Sequence, residues 1–262
     1  MTAAPVVTLA GPGVWQRRVH AEHVWGTVVT FDFRAPDFGP EYDTILAEAI
    51  EYLHQVDAWF STYRVDTPIT THRNGLIELS RTPTVVQQVL ASCQYARQLT
   101  RGAFDPWAVE GGVDPSGYVK GWAAGQVADQ IVRAGIPNVA VNAAGDIACR
   151  GLQAPGERWA IGISNPYDTQ QVIEVVRIGD GAIATSGLYE RGSHITNPAT
   201  GRREVYYDSA TIVGPDAGLA DALATAALIT GPDCAAWFVG LPEWSVYFIK
   251  DGRASYFGPA FA

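Results

Sequence analysis

The stretch Tyr118–Asp146, YVKGWAAGQVADQIVRAGIPNVAVNAAGD, sets a helix directly before a short strand and a tight turn. The helix starts near Tyr118 and runs to Ala134, where Gly135 and Pro137 end it. Asn138–Val141 then reads as a strand that meets a turn at Ala144-Gly145-Asp146. A parallel α/β fold would next require another helix. Three further strand patterns follow instead, at Trp159–Ile163, Val172–Ile178 and Ala182–Ser186. Ser209–Val213 and Ser245–Ile249 add two more, separated by a helix at Leu219–Ile229 that Gly231-Pro232 closes.

Upstream, HVWGTVVTFDF within Glu22–Phe33 reads as one strand, broken by the Pro-rich stretch 36–40. Ile45, Leu46, Ala49, Ile50, Leu53, Val56 and Phe60 recur at helical spacing behind Asp43. Thr84–Leu99 reads as a second helix behind Pro83. Strands and helices without regular βαβ alternation indicate an α+β fold, with mixed, largely antiparallel sheets packed against helices. Residues 1–20 read as a loose arm and 21–262 as a single domain.

The formal net charge is −9, which argues against a nucleic-acid binder because such proteins need an electropositive face. An anionic ligand must therefore be held locally, by a metal, a few cations or backbone N–H groups. Cys93, Cys149 and Cys234 are odd in number and form no CxxC pair, so each is expected to be a buried thiol. No signal peptide, lipobox cysteine or membrane span is read in the sequence, and a cytoplasmic location is expected.

Three segments bear on chemistry. Gly111–Gly121 places four glycines, a proline and Lys120 at a helix start, where backbone N–H groups and the helix dipole suit a phosphate. A turn capped by Ser116, with Lys120 in solvent, explains the same residues, and the spacing is not that of a P-loop. Asp221 and Thr225 lie four apart on one helix face, as two hard oxygen donors of the kind magnesium takes. A dipole partner and a hydroxyl bonded to its own backbone are the structural alternative. His194 precedes the Asn197-Pro198 turn and can act as a base or orient a phosphate. Ser186 belongs to no nucleophile elbow, so a serine hydrolase is disfavoured. Aromatic residues gather at Trp59, Phe60 and Tyr63, and again at Phe104, Trp107, Tyr118 and Trp122. Such rings either stack on a planar heterocycle or pack a core.

Eight blocks occur in a telling order. They begin with Trp25-Gly26-Thr27, then Phe60–Arg64 with Asp66, then Gly102–Pro106 and Asp114–Gly121. Asn142–Ile147, Ala184–Gly187, His194–Gly201 and Leu219–Ala226 complete the series. From about Trp25 to Ile249 the chain resembles the ApbE family of FAD:protein FMN transferases. The resemblance implies an ApbE-like, T-fold-like architecture, FAD as substrate, Mg²⁺ as cofactor and an acceptor protein carrying a flavinylation-site threonine or serine. Acceptors in the family are often membrane-associated.

By the same resemblance, Asp221 and Thr225 match side-chain magnesium ligands and Gly117 a backbone-carbonyl ligand. Asp105, Lys120 and Ile195 match positions lining the FAD site. Tyr63 falls where an aromatic lies against the flavin, and Ala96 where the backbone meets the dinucleotide. His194 and Asp221 are the catalytic candidates. Asn197, Trp25 and Ala144 depart from the family's usual Asp, Met and Gly, and the segment between Asp105 and Asp114 is short. A metal-dependent FAD pyrophosphatase and a non-cleaving FAD-binding protein are the alternatives to a transferase.

Overall fold

The computed structural model describes residues 14–109, 111–187, 196–202 and 204–261. His194 and Ile195 lie outside these residues.

The chain opens with two strands, β1 (Gln16–Val24) and β2 (Thr27–Ala35), where one was expected. They pair antiparallel with Val24 opposite Thr27, leaving Trp25-Gly26 as a two-residue turn. Both turn residues have positive φ, 57° and 66°, as a hairpin whose twist matches its strands requires. A tryptophan in that position carries none of the Asn-Gly signal by which such turns are read, so the hairpin was illegible. Residues 16–20 are accordingly strand and not loose arm.

Among the described residues, five α-helices follow in and around the sheet: α1 (Tyr42–Phe60), α2 (Pro68–Arg73), α3 (Thr84–Leu99), α4 (Ser116–Arg133) and, later, α5 (Ala217–Thr230). α3 has the bounds expected of it, because Val86, Val89, Leu90, Cys93 and Ala96 form one buried stripe. Between α4 and α5 come β3 (Val139–Ala143), β4 (Asp146–Arg150), β5 (Trp159–Asn165), β6 (Asp168–Ile178), β7 (Gly181–Gly187) and β8 (Ser209–Gly214). β9 (Ser245–Lys250) and β10 (Arg253–Phe257) end the sheet. The short strands β4 and β10 and the helix α2 have no counterpart in the sequence reading.

Eight strands form one sheet in the order β1-β2-β3-β4-β7-β8-β9-β10, and every pairing in it is antiparallel among the described residues. The hairpin β5–β6 stands apart as a second, two-stranded sheet. Alternation along a strand sends side chains to both faces, and each face has its own core. On one face, Val29, Phe31, Phe33, Val139 and Val141 pack with α1 and α4 residues such as Leu53 and Ile131. On the other, Cys149, Ile183, Val213 and Tyr247 pack with Trp159, Ile163 and Val176 of the hairpin. The fold class is α+β with antiparallel sheets, as the order of elements implied.

α5 is largely apolar apart from Asp221 and its threonines, and the run Ala217–Gly240 has the length and composition of a membrane span. In this fold α5 is a core helix, packed against α4, β7 and β8. The alanines of α5 and Gly121 of α4 let the two helices approach closely: a Cβ on Gly121 would lie 2.2 Å from the Ala217 carbonyl oxygen. That approach positions the polar residues of the two helices.

Candidate active site

Three elements converge on one charged cluster. Lys120, in the first turns of α4, extends its ammonium to Asp146, the first residue of β4, with Nζ 2.7 Å from Oδ2. The same nitrogen lies 3.5 Å from Asp221 Oδ2 on α5. Asp221 is 2% exposed. Burial pushes its carboxyl above the usual carboxylate range, and the Lys120 ammonium and the Gly121 N–H, 3.4 Å from Oδ2, act in the opposite direction. A carboxylate buried this deeply needs such partners, because desolvation of an unpaired charge is costly.

Local sequence explains how each partner arrives. Asp146 follows a two-residue turn, Ala144-Gly145, whose φ values are 56° and 103°. Asn142 Oδ1 accepts the Gly145 N–H at 2.8 Å and pins the turn. Asp146 thus opens β4 instead of closing the turn. Asp216 caps α5 by accepting the Leu219 N–H at 2.7 Å, which starts the helix two residues before the expected Leu219. From there, one turn of helix places Thr225 on the Asp221 face.

Thr225 Oγ1 lies 3.1 Å from Ser186 Oγ at the end of β7. Between Ala217 and Leu228 every residue of α5 is buried except Thr225, which is half-buried. The helix therefore opens towards solvent at the position paired with Asp221. Ser186 enters the site as a hydroxyl partner and not as a nucleophile with a triad.

At the start of α4, Gly117 departs from helical geometry, with φ −79° and ψ 17°. This tilts its carbonyl from the ideal helical direction, and the Gly121 N–H, its usual partner one turn on, is directed at Asp221. Pro115 occupies the cap position, and the Asp114 carboxylate receives the Ser116 N–H at 3.0 Å. The alternative reading of a Ser116 cap does not hold: Pro115 takes the cap position and Asp114, two residues before Ser116, holds the turn. Lys120 is paired with carboxylates and does not simply extend into solvent.

The remaining candidates are more dispersed. Asp105 binds Arg97 Nε at 2.7 Å and accepts the Trp107 N–H at 3.0 Å, fixing the loop after α3. Ala96 is fully buried, and its carbonyl already accepts both the N–H and the hydroxyl of Thr100, at 3.0 and 2.9 Å. Tyr63, in the loop after α1, is 97% exposed. Most of the other aromatic residues pack the core: Trp59, Phe60 and Trp122 meet Tyr52 or one another at edge-on or tilted angles. The sequence reading placed Asp146 only within a turn; Asn142, four residues earlier and bonded to the Gly145 N–H, is the one local sign that its position is held. The structure brings Lys120, Asp221 and Thr225 together, with Asp146 and Ser186 as additional members.

A family model described as ApbE family matches residues 108–248, which include Lys120, Asp146, Ser186, Asp221 and Thr225. The FAD:protein FMN transferase of Vibrio cholerae serotype O1 is 42% identical over 99 residues, 34% of this chain and 30% of that protein. The protein of the same name from Klebsiella pneumoniae is 28% identical over 144 residues, 52% of this chain and 40% of its own length. The chain thus spans less than half the length of these curated relatives.

Among solved structures, the flavin transferase ApbE of Vibrio cholerae superposes with a TM-score of 0.81 at 24% identity, covering 94% of this chain and 98% of its own. The ApbE protein of Thermotoga maritima gives 0.80 at 22% identity, with 94% and 98% covered. These two likenesses establish a shared fold. With a family match that takes in more than half of the residues, including the whole charged cluster, the chain belongs to the ApbE family.

Proposed function

We propose that this chain cleaves FAD and joins its FMN half to a threonine or serine hydroxyl of an acceptor protein, releasing AMP. The observation that carries the reading is the buried Asp221, held by Lys120 and lying one turn from Thr225, the one residue through which that part of α5 opens to solvent. Relatives named FAD:protein FMN transferase support it.

The residues fit a magnesium ion. Asp221, Thr225 and the tilted Gly117 carbonyl would hold it, all three being hard oxygen donors. Among the described residues no group of three or more His, Cys, Asp or Glu could hold a metal. A magnesium ion held by these few donors would keep its remaining positions for water and substrate phosphate. When bound, Mg²⁺ supplies charge neutralisation at the FAD diphosphate.

Lys120 adds positive charge at the start of α4, where the helix dipole already favours an anion. In the transfer, the acceptor oxygen forms a bond to the FMN phosphorus while the bond from that phosphorus to the AMP oxygen breaks. The acceptor's proton must leave, and we assign its removal to His194, which is outside the described residues.

The test is Asp221→Ala incubated with FAD, Mg²⁺ and a candidate acceptor, followed by mass measurement and AMP release. Loss of both AMP release and the FMN mass gain is expected, by at least about a hundredfold. Full activity in that variant overturns the assignment. For the wild type, free FMN and AMP with an unmodified acceptor would indicate a pyrophosphatase, and intact FAD a binding protein.

A further inference from the structure

We infer that Lys120 is an internal counter-cation that competes with the metal for Asp221, and that Asp146 is the positioning residue that draws the ammonium aside. This rests on the reading of Asp221 as a metal ligand. One ammonium serves two buried carboxylates, at 2.7 Å from Asp146 and 3.5 Å from Asp221. Its stronger partner is therefore Asp146, while Asp221 is held at longer range.

The exposures give the direction of exchange. The Lys120 side chain is 36% exposed, whereas those of Asp146 and Asp221 are 4% and 3% exposed. The cation is the solvent-side member of the cluster, above two carboxylates that cannot reach water themselves. Without a cation nearby, Asp221 would be a buried charge with no counter-charge, which is strongly unfavourable. A metal at Asp221 takes over that neutralisation. Lys120 can then swing outward about Asp146 without losing its own ion pair, and its charge is delivered to the side from which a diphosphate arrives. Asp146 acts through Lys120 and not on the substrate.

The experiment measures Mn²⁺ and Mg²⁺ binding to the full chain without FAD, by paramagnetic resonance and calorimetry. The proteins are the wild type, Asp221→Ala, Lys120→Met, Asp146→Asn and the Lys120→Met/Asp146→Asn double variant. Lys120→Met is expected to tighten metal binding at least about tenfold. Asp146→Asn removes the nearer carboxylate and shifts the ammonium's pairing to Asp221, so binding should weaken at least about tenfold, shrinking to under about threefold when Lys120 is already absent.

Thermal unfolding gives a second readout. In EDTA, Lys120→Met should melt below the wild type, and Mg²⁺ should raise its melting temperature more than it raises the wild type's. Unchanged affinity in Lys120→Met, or an Asp146→Asn effect of equal size in both backgrounds, overturns the inference. If Lys120→Met does not fold, Asp146→Asn retains one buried ion pair and is read alone: binding as tight as the wild type's overturns it. Wild-type affinity in Asp221→Ala instead removes the metal assignment itself, which separates the two failures.

Discussion

Gly121→Ala tests whether the close approach of α4 and α5 builds the site. A Cβ at this position would lie 2.2 Å from the Ala217 carbonyl oxygen, 2.8 Å from its carbonyl carbon and 3.0 Å from Asp221 Cβ. Ordinary contact begins roughly 1 Å further out, so the helices must separate or α5 must slide. The obstacle is backbone, which cannot rotate away. Overpacking costs about 1–3 kcal/mol, and the unyielding neighbour puts this case at the upper end. The better helix propensity of alanine returns about 1 kcal/mol, leaving a net loss of about 2 kcal/mol. For a chain of this size that lowers the melting temperature by about 4–8 °C.

Gly125, one turn along, supplies the internal control. Its Cβ would meet Ala217 Cβ at 3.5 Å, an ordinary contact. Gly125→Ala should therefore be neutral or stabilising by up to about 1 kcal/mol, the opposite sign on the same helix face. Differential scanning calorimetry of the three proteins, with EDTA and with Mg²⁺, decides the matter. The stabilisation conferred by Mg²⁺ should also shrink in Gly121→Ala, because a displaced α5 carries Asp221 with it. A Gly121→Ala melting temperature within about 1 °C of the wild type, or below-wild-type melting of Gly125→Ala equal to it, refutes the packing argument.

Two further perturbations address the site and the core. Thr225→Val keeps the side-chain shape but removes the hydroxyl 3.1 Å from Ser186 Oγ, so Mg²⁺ affinity should fall about tenfold or more while stability changes by only about 1 kcal/mol. Unchanged metal affinity there would exclude Thr225 as a ligand. Burial pushes the Cys149 and Cys234 thiols up to about 12, and Cys93 higher still. The folded state then holds protons that the unfolded chain releases, so stability is at its full value below about pH 9 and declines as pH rises towards 12. Melting temperatures measured across that range, together with thiol reagent uptake at pH 8, check this: all three thiols should react only after unfolding.

Legibility followed the range of the forces involved. Helix α3 and the strands from β5 to β9 were readable because side-chain period and Gly or Pro punctuation act within a few residues. The first hairpin was not, since its turn places Trp25 at positive φ where no local preference favours tryptophan. Pro115 took the cap position of α4 and Asp114 holds the turn before it through the Ser116 N–H, a choice that side-chain type alone left open.

The sequence by itself determined that Asp221 and Thr225 share a helix face, that glycines precede Lys120, and that helices and strands do not alternate as βαβ units. Those are consequences of local geometry and of the order of elements along the chain. Only the tertiary structure decided that one ammonium would stand between Asp146 and Asp221, and that Ser186 would meet Thr225. The pairing of β4 with β7 and of β7 with β8, and the glycine-enabled contact of α4 with α5, join segments far apart in the chain. Burial of whole faces drives such contacts, and no period within one segment encodes which distant segment will cover it.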